Sequence, residues 1–179
     1  TALIESINNA KSYVYLQYYI LKSDGLGQRV IDALCNKAEE GLEVKVLTDG
    51  MGGRNLKKRD IKRLEKSGAQ VGIFFPPFLP YLSLRINYRN HRKICIIDGY
   101  ESYVGGFNIG DEYLGLSKKF GHWKDAHLKI VGSAISSLQW RFFLDWRFAT
   151  GEEINRCQSY IHTKDDLGNS GVQIVSSGP

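Results

Sequence analysis

No apolar run in this chain approaches the roughly 18 residues that a membrane-spanning helix needs, and no basic, apolar, small-residue leader is present. Neither a spanning helix nor a signal peptide is therefore expected within it. Cysteine is sparse. Cys35, Cys95 and Cys157 are odd in number and show no CxxC spacing, which argues against a disulfide framework and for free thiols in a reducing compartment. The aspartates and histidines fall at no recognisable metal-ligand spacing, so neither a metal nor a cofactor is expected. Methionine occurs once, at Met51, and the first residue is Thr1. The chain ends at Ser176-Ser177-Gly178-Pro179, directly after a segment that reads as a strand. These features suggest a piece of a longer polypeptide. Repeats, linkers and low-complexity stretches are also missing.

What is present suits one domain over residues 1–179, with 42% hydrophobic residues to build a core. The formal charge of +5 fits a polyanionic partner, either nucleic acid or an anionic membrane surface, and does not choose between them.

The apolar pattern predicts a short helix over 2–11, from Leu3, Ile4 and Ile7, and a strand over Tyr13–Leu21. Ser23-Asp24-Gly25 turns the chain into a helix over about 27–40, stopped by Gly41. A buried strand over Glu43–Thr48, a helix over about 54–67 and a strand over Ala69–Phe75 follow. That alternation is the rhythm of an α/β sheet with helical crossovers. The pattern then changes to a hairpin, Ile94–Ile97 and Tyr100–Val104 joined at Asp98-Gly99. A strand over His127–Val131 comes next. A helix over 133–149 is apolar nearly all round and is expected to be buried. Val172–Val175 reads as a last strand.

The chemistry concentrates in His91-Arg92-Lys93-Ile94-Cys95-Ile96-Ile97-Asp98 and in Gly105-Gly106-Phe107-Asn108. Side chains alternate along a strand, so His91 and Lys93 project to the same side, about 7 Å apart. Asp98 lies an odd number of residues from both and should face away or sit at the turn, in a role of orientation and support. The diglycine permits close approach of backbone or substrate, and Asn108 can donate amide hydrogens to an oxyanion. Histidine, lysine and asparagine around one spot suit phosphodiester chemistry. Imidazole can attack phosphorus covalently while the other two hold the non-bridging oxygens.

The spacing H-x-K-x4-D, then six residues, then G-[SG]-x-N, resembles the HKD signature of the phospholipase D superfamily. Residues 103–115, Tyr-Val-Gly-Gly-Phe-Asn-Ile-Gly-Asp-Glu-Tyr-Leu-Gly, are similar to the segment after the first HKD motif of bacterial cardiolipin synthases. Gly106 stands where most of the superfamily has serine, a departure those synthases share. Residues 123–130, 144–152 and 171–179 are similar to the same family. The resemblance implies a phospholipase D-like mixed β-sheet flanked by helices on both faces, one half of a two-half architecture. It implies that His91 is nucleophile or general acid and that Lys93 and Asn108 bind phosphate. Asp98 is then the motif's aspartate, and His91, Lys93 and Asp98 form the catalytic set with Gly106 in support. Asp125 aligns with the acid that accepts a hydrogen bond from the histidine ring.

The resemblance further implies a phosphatidyltransferase that makes cardiolipin from two phosphatidylglycerol molecules and releases glycerol, through a phosphohistidine. The expected partners are anionic phospholipid, a bacterial cell membrane surface, and a second HKD half from the same parent chain or a dimer mate. The piece itself is expected to be soluble and, alone, inactive, and no nucleic acid is expected. The alternatives are a phosphodiesterase or nuclease of the superfamily, and a lipid-binding half-domain.

Two further features bear on membranes. Residues 54–66 carry seven basic side chains against Asp60 and Glu65, either a solvated face or a patch for anionic lipid. Phe74–Leu84 gathers three of the four prolines among Phe74, Phe75, Phe78, Leu79, Tyr81 and Leu82. It should be an apolar loop that packs on the body or admits acyl chains. Arg85, Arg89 and Arg92 would enrich an anionic substrate near His91. His122 and His162 are expected at the surface, and His127 packed on its strand.

Overall fold

The computed structural model describes residues 2–76, 89–116, 118–152 and 170–177. The chain runs α1 (Ala2–Asn9), β1 (Tyr13–Tyr18), α2 (Gly25–Glu39), β2 (Glu43–Asp49), α3 (Lys58–Lys66), β3 (Gln70–Phe74), β4 (Lys93–Ile97), β5 (Glu101–Gly105), β6 (His127–Val131) and α4 (Ile135–Thr150). Short 3₁₀ turns cover Gly52–Asn55 and Asp111–Leu114. The helix expected from residue 54 begins only at Lys58, because the chain first makes the 3₁₀ turn.

The six strands form one mixed sheet in the order β3-β2-β1-β4-β5-β6. β1, β2 and β3 are parallel and joined by helical crossovers, whereas β4 pairs antiparallel with both β1 and β5, and β6 antiparallel with β5. Parallel strands need such crossovers, and their two-sided burial explains why β1 is sequestered at every position. One face carries Val14, Leu16, Val46, Cys95 and Ile97 against Ile7 of α1, Ile31 and Leu34 of α2 and Leu64 of α3. The other carries Tyr13, Tyr15, Leu47, Ile94 and Ile96 against Leu138, Phe142 and Trp146 of α4. Helices thus cover both faces. Each large side chain buried this way contributes roughly 1.5–3 kcal/mol.

Asp24 caps α2, accepting from Gly27 N at 3.1 Å, and its second oxygen accepts from Asp111 N at 2.8 Å. Asp111 reciprocates by accepting from Gly25 N and Leu26 N at 3.0 and 2.7 Å. Carboxylates at a helix N-terminus satisfy its free amides and its dipole. The pair also straps the segment after β5 onto the start of α2.

Two expectations are corrected. α4 is not buried all round. Its inner face packs through Leu138, Phe142 and Trp146, while Trp140, Leu144 and Phe148, four residues apart, remain exposed. Composition alone could not separate a sunken helix from one laid on a sheet with an apolar outer stripe. Val172–Val175 is not a strand among the described residues: it pairs with no sheet edge, and only Ile174 packs against the core. β-propensity without a ladder partner does not make a strand. Residues 77–84 of the proline-rich stretch, Arg85, Cys157 and His162 lie outside the described residues; Cys35 and Cys95 are buried and free.

Candidate active site

The topology gathers the chemistry at one end of the sheet. The C-terminal ends of β1, β2 and β5 and the N-terminal ends of β4 and β6 meet there, because β1 and β2 are parallel and the neighbours from β4 onward alternate in direction. Tyr18 is in register with Lys93, and Tyr19 N donates to Arg92 O at 3.2 Å, carrying the ladder one step beyond β4 toward His91. His91 itself precedes the strand, yet it shares Lys93's side as the alternation requires.

His91 and Lys93 are in direct contact. Lys93 Nζ donates to the His91 carbonyl oxygen at 2.7 Å and lies 2.7 Å from His91 Nδ1. Lys93 Nζ also lies 3.2 Å from His91 Nε2, so the ammonium faces the edge of the ring and favours a neutral imidazole that accepts from it. The Tyr19 ring packs on His91 with centroids 4.6 Å apart, and Lys93 Nζ sits 5.5 Å from the centre of the same ring. Lys93 is buried, and burial pushes its pKa down to about 8 while the Asp125 carboxylate opposes the fall. Burial likewise holds His91 below the ordinary histidine value, Lys93 adds to the effect and Asp49 opposes it.

Asn108 belongs to the same end. Its Oδ1 accepts from Ile20 N at 3.1 Å and its Nδ2 donates to the Tyr113 hydroxyl at 3.0 Å. Ile109 N also donates to Ile20 O, and Lys22 N to Ile109 O, which fixes this loop against the end of β1. The amide is thus oriented by backbone and has one further N–H to offer.

The diglycine has a definite packing reason. A Cβ on Gly105 would fall 2.3 Å from Ala126 O and 2.5 Å from His127 Cα, and one on Gly106 would fall 1.9 Å from Asp125 Oδ1. The start of β6 presses against these two positions, with Gly106 N donating to Ala126 O at 2.8 Å. Asp125 accordingly lies over Gly106, its charge felt by Lys93 and His127. It accepts from Ala126 N at 2.8 Å and has no hydrogen bond with the His91 ring.

Asp98 stands apart. It closes β4 at the opposite end of the sheet, five residues or roughly 16 Å beyond Lys93. With φ of 54° it forms the hairpin turn with Gly99, at φ of 63°. Its carboxylate accepts from the backbone N–H groups of Lys11, Ser12 and Tyr13 at 2.8, 2.7 and 2.9 Å. Asp98 therefore anchors the entry to β1 and is no neighbour of the imidazole. Arg92 and Arg89 are paired with buried carboxylates. Arg92 pairs with the buried Asp145 at 3.2 Å and donates to Ser177 O at 3.0 Å, while Arg89 faces the buried Asp49 at 3.8 Å. A cleft of about 370 Å³ runs from His91 and Lys93 past Gly105 to Leu138 and Arg141, with residues 173–177 as its far wall. A hollow of similar size, about 360 Å³, lies at the other end around Glu5, Asp98 and Glu101, remote from this chemistry. Among the described residues, no group of three or more His, Cys, Asp or Glu side chains is disposed to hold a metal ion.

Residues 3–131 match the family described as "Cardiolipin synthase, PLD-like domain". The chain belongs to that family. It is 53% identical over 178 residues to a cardiolipin synthase of Oceanobacillus iheyensis, covering 99% of this chain and 37% of the relative. It is 51% identical to a cardiolipin synthase of Staphylococcus aureus, with 99% and 36% covered. The chain thus spans little more than a third of the curated relatives it matches. The fold is shared with phosphatidylserine synthase of Haemophilus influenzae at a TM-score of 0.60 and 20% identity, over 89% of this chain and 38% of that one. It is shared also with the phospholipase D family member Nuc of Salmonella typhimurium at 0.57 and 17%, over 83% and 86%.

Within this domain, sequence reasoning missed three participants. Tyr19 flanks both His91 and Lys93, Asp49 acts on His91 through its charge, and His127 accompanies the site. His127 Nε2 is 3.2 Å from the hydroxyl of the buried Tyr18, and its Nδ1 is enclosed beside Gly105. Tyr19 follows directly on β1, which ends at Tyr18, three residues short of the expected Leu21. Asp49 and His127 carried no signal in the sequence, because only the register brings them to this end.

Proposed function

We propose that this domain supplies one HKD half of the active site of a bacterial membrane-bound phosphatidyltransferase that makes cardiolipin from two phosphatidylglycerol molecules. The observation that carries the reading is the contact of His91 with Lys93 beneath Tyr19, in a chain of the cardiolipin synthase family. The neutral imidazole and the buried ammonium are an acid–base pair whose mutual bond a phosphate oxygen can replace. When it does, Lys93 follows the oxygen and Nδ1 is released. Asn108 offers its remaining N–H to another non-bridging oxygen. Asp125 tempers the local positive charge, and Asp98 acts from a distance by holding the hairpin.

In the reaction, one of two histidines attacks phosphorus and the bond to the departing glycerol oxygen breaks. The other histidine gives that oxygen its proton. The hydroxyl of a second phosphatidylglycerol then attacks phosphorus, losing its proton to the same histidine as the P–N bond opens. His91 serves as attacking group or as acid, and the other histidine belongs to a second HKD half of the same polypeptide or of a dimer mate. One phosphodiester replaces another, so no nucleotide is consumed. Transfer rather than hydrolysis requires the acceptor to be held and water excluded.

The test uses the complete protein with phosphatidylglycerol vesicles. His91→Ala is expected to lower phosphatidyl transfer by about a thousandfold, with Lys93→Met comparably impaired. Unaltered transfer by His91→Ala, or cleavage of DNA without lipid turnover, overturns the reading.

A further inference from the structure

The segment that joins Asn108 to Asp125 combines exposed apolar and basic side chains. Four large apolar side chains stand exposed within ten residues: Leu114, Leu116, Phe120 and Trp123, with Leu116 at 68% and Phe120 at 51% of full exposure. Lys118, Lys119 and Lys124 are interleaved with them, also exposed, and no acidic residue lies between Leu114 and Lys124. Lys119 Nζ lies 5.2 Å from the centre of the Phe120 ring, so the charged head and the apolar ring project together. A soluble surface does not ordinarily cluster large apolar groups in this way. Aromatic and leucine tips set among lysines match the boundary between lipid headgroups and acyl chains.

The segment is also wired to the site. The Trp123 ring meets the Tyr113 ring edge-on at 5.1 Å, and the Tyr113 hydroxyl accepts from Asn108 Nδ2. Behind it opens a cleft of about 230 Å³ walled by Leu26, Val30, Phe107 and Leu114, with Asn108 and His127 at its polar end. The cleft thus runs from Leu114 to Asn108 and His127.

We propose that the surface formed by Leu114, Leu116, Phe120 and Trp123 seats the domain on a bilayer, pressing Leu116, Phe120 and Trp123 into the interfacial layer of an anionic phospholipid membrane while Lys118, Lys119 and Lys124 meet its phosphates. The identity of the surface rests on the phospholipid reading given above. The sign of the charge and the continuity with the site select a lipid surface over a second copy of this chain, which would bring the same lysines together. Seating would hold the site at the depth of the headgroups, with Tyr113 and Asn108 as the connection.

The experiment measures partition of the 179-residue chain onto vesicles of phosphatidylglycerol with phosphatidylcholine, and onto phosphatidylcholine alone. Leu116→Ser with Phe120→Ser should weaken binding to the anionic vesicles at least about tenfold. Lys118→Glu with Lys119→Glu should weaken it about fivefold or more per lysine and abolish the preference for phosphatidylglycerol. In a Trp140→Phe background, lipids brominated on their acyl chains should quench Trp123 emission, and Trp123→Phe should remove that quenching. Circular dichroism melts unchanged by these surface substitutions show that folding is not the cause. Binding untouched by the loop variants overturns the proposal, as does binding lost only when Lys57, Lys58, Lys62 and Lys66 are reversed. So does a sedimentation profile in which the loop variants abolish self-association and spare vesicle binding. Turnover by the complete His91→Ala protein is read separately, so failure of the loop and failure of the catalytic reading give different patterns.

Discussion

Lys93 is a buried cation whose nearest acceptors are a carbonyl and an imidazole rather than a carboxylate, and its chemistry follows from that environment. Its pKa of about 8 against an ordinary 10.5 means that the unfolded chain keeps this proton at pH values where the folded one has released it. The stability of the native protein relative to Lys93→Met should therefore be level below pH 8, rise between pH 8 and 10.5, and level again above. Denaturant titrations of the two proteins across that range test it; a difference independent of pH refutes the assignment. Anion binding should show the inverse, weakening as the ammonium is lost above about pH 8. Asp98 works at the same scale without touching the site. Three backbone N–H groups converge on one carboxylate, and Asp98→Ala should cost about 3 kcal/mol in chemical denaturation. Asp98→Asn, which tolerates the left-handed turn, should cost less. The identity of Asp98 was legible in the motif, but parity along the strand was the part of the reading that placed it correctly, at the turn and away from His91.

At the scale of elements, the contact between the end of β5 and the start of β6 gives shape to the site, and it is held by two adjacent glycines under different constraints. A Cβ at Gly105 meets backbone, which cannot yield without moving β6, whereas one at Gly106 meets the tip of an exposed aspartate. Gly105→Ala should then lower stability by about 3 kcal/mol or more, and Gly106→Ala by about 1 kcal/mol. Asp125→Ala should rescue Gly106→Ala and leave Gly105→Ala unimproved. A double-mutant cycle by thermal melting decides this, and equal coupling in both pairs would contradict the packing described. The helices and strands were largely readable because each obeys its own period: α2, with its Asp24 cap, and the hairpin turn at Asp98-Gly99 both formed where local chemistry placed them. α4 and Val172–Val175 departed from expectation because burial and pairing are properties of what lies opposite, which no period in the sequence encodes.

For the whole molecule, the sheet order brings five strand ends to one place, and among the described residues one His-Lys contact forms there, between His91 and Lys93. One such pair cannot both attack phosphorus and protonate the leaving oxygen in the same step. The 179-residue chain by itself should show no measurable phosphatidyl transfer, while the complete polypeptide should; turnover by the isolated chain in a vesicle assay would remove the need for a second half. The sequence by itself carried the expectation of phosphate chemistry, in the spacing of His91, Lys93 and Asn108, and the strand alternation already put the first two on one side. Tertiary structure alone decided their company. Tyr19, Asp49 and His127 reach the site from the ends of β1, β2 and β6, and Asp98 leaves it, because register and topology bring together residues far apart in the chain and separate residues that flank one strand.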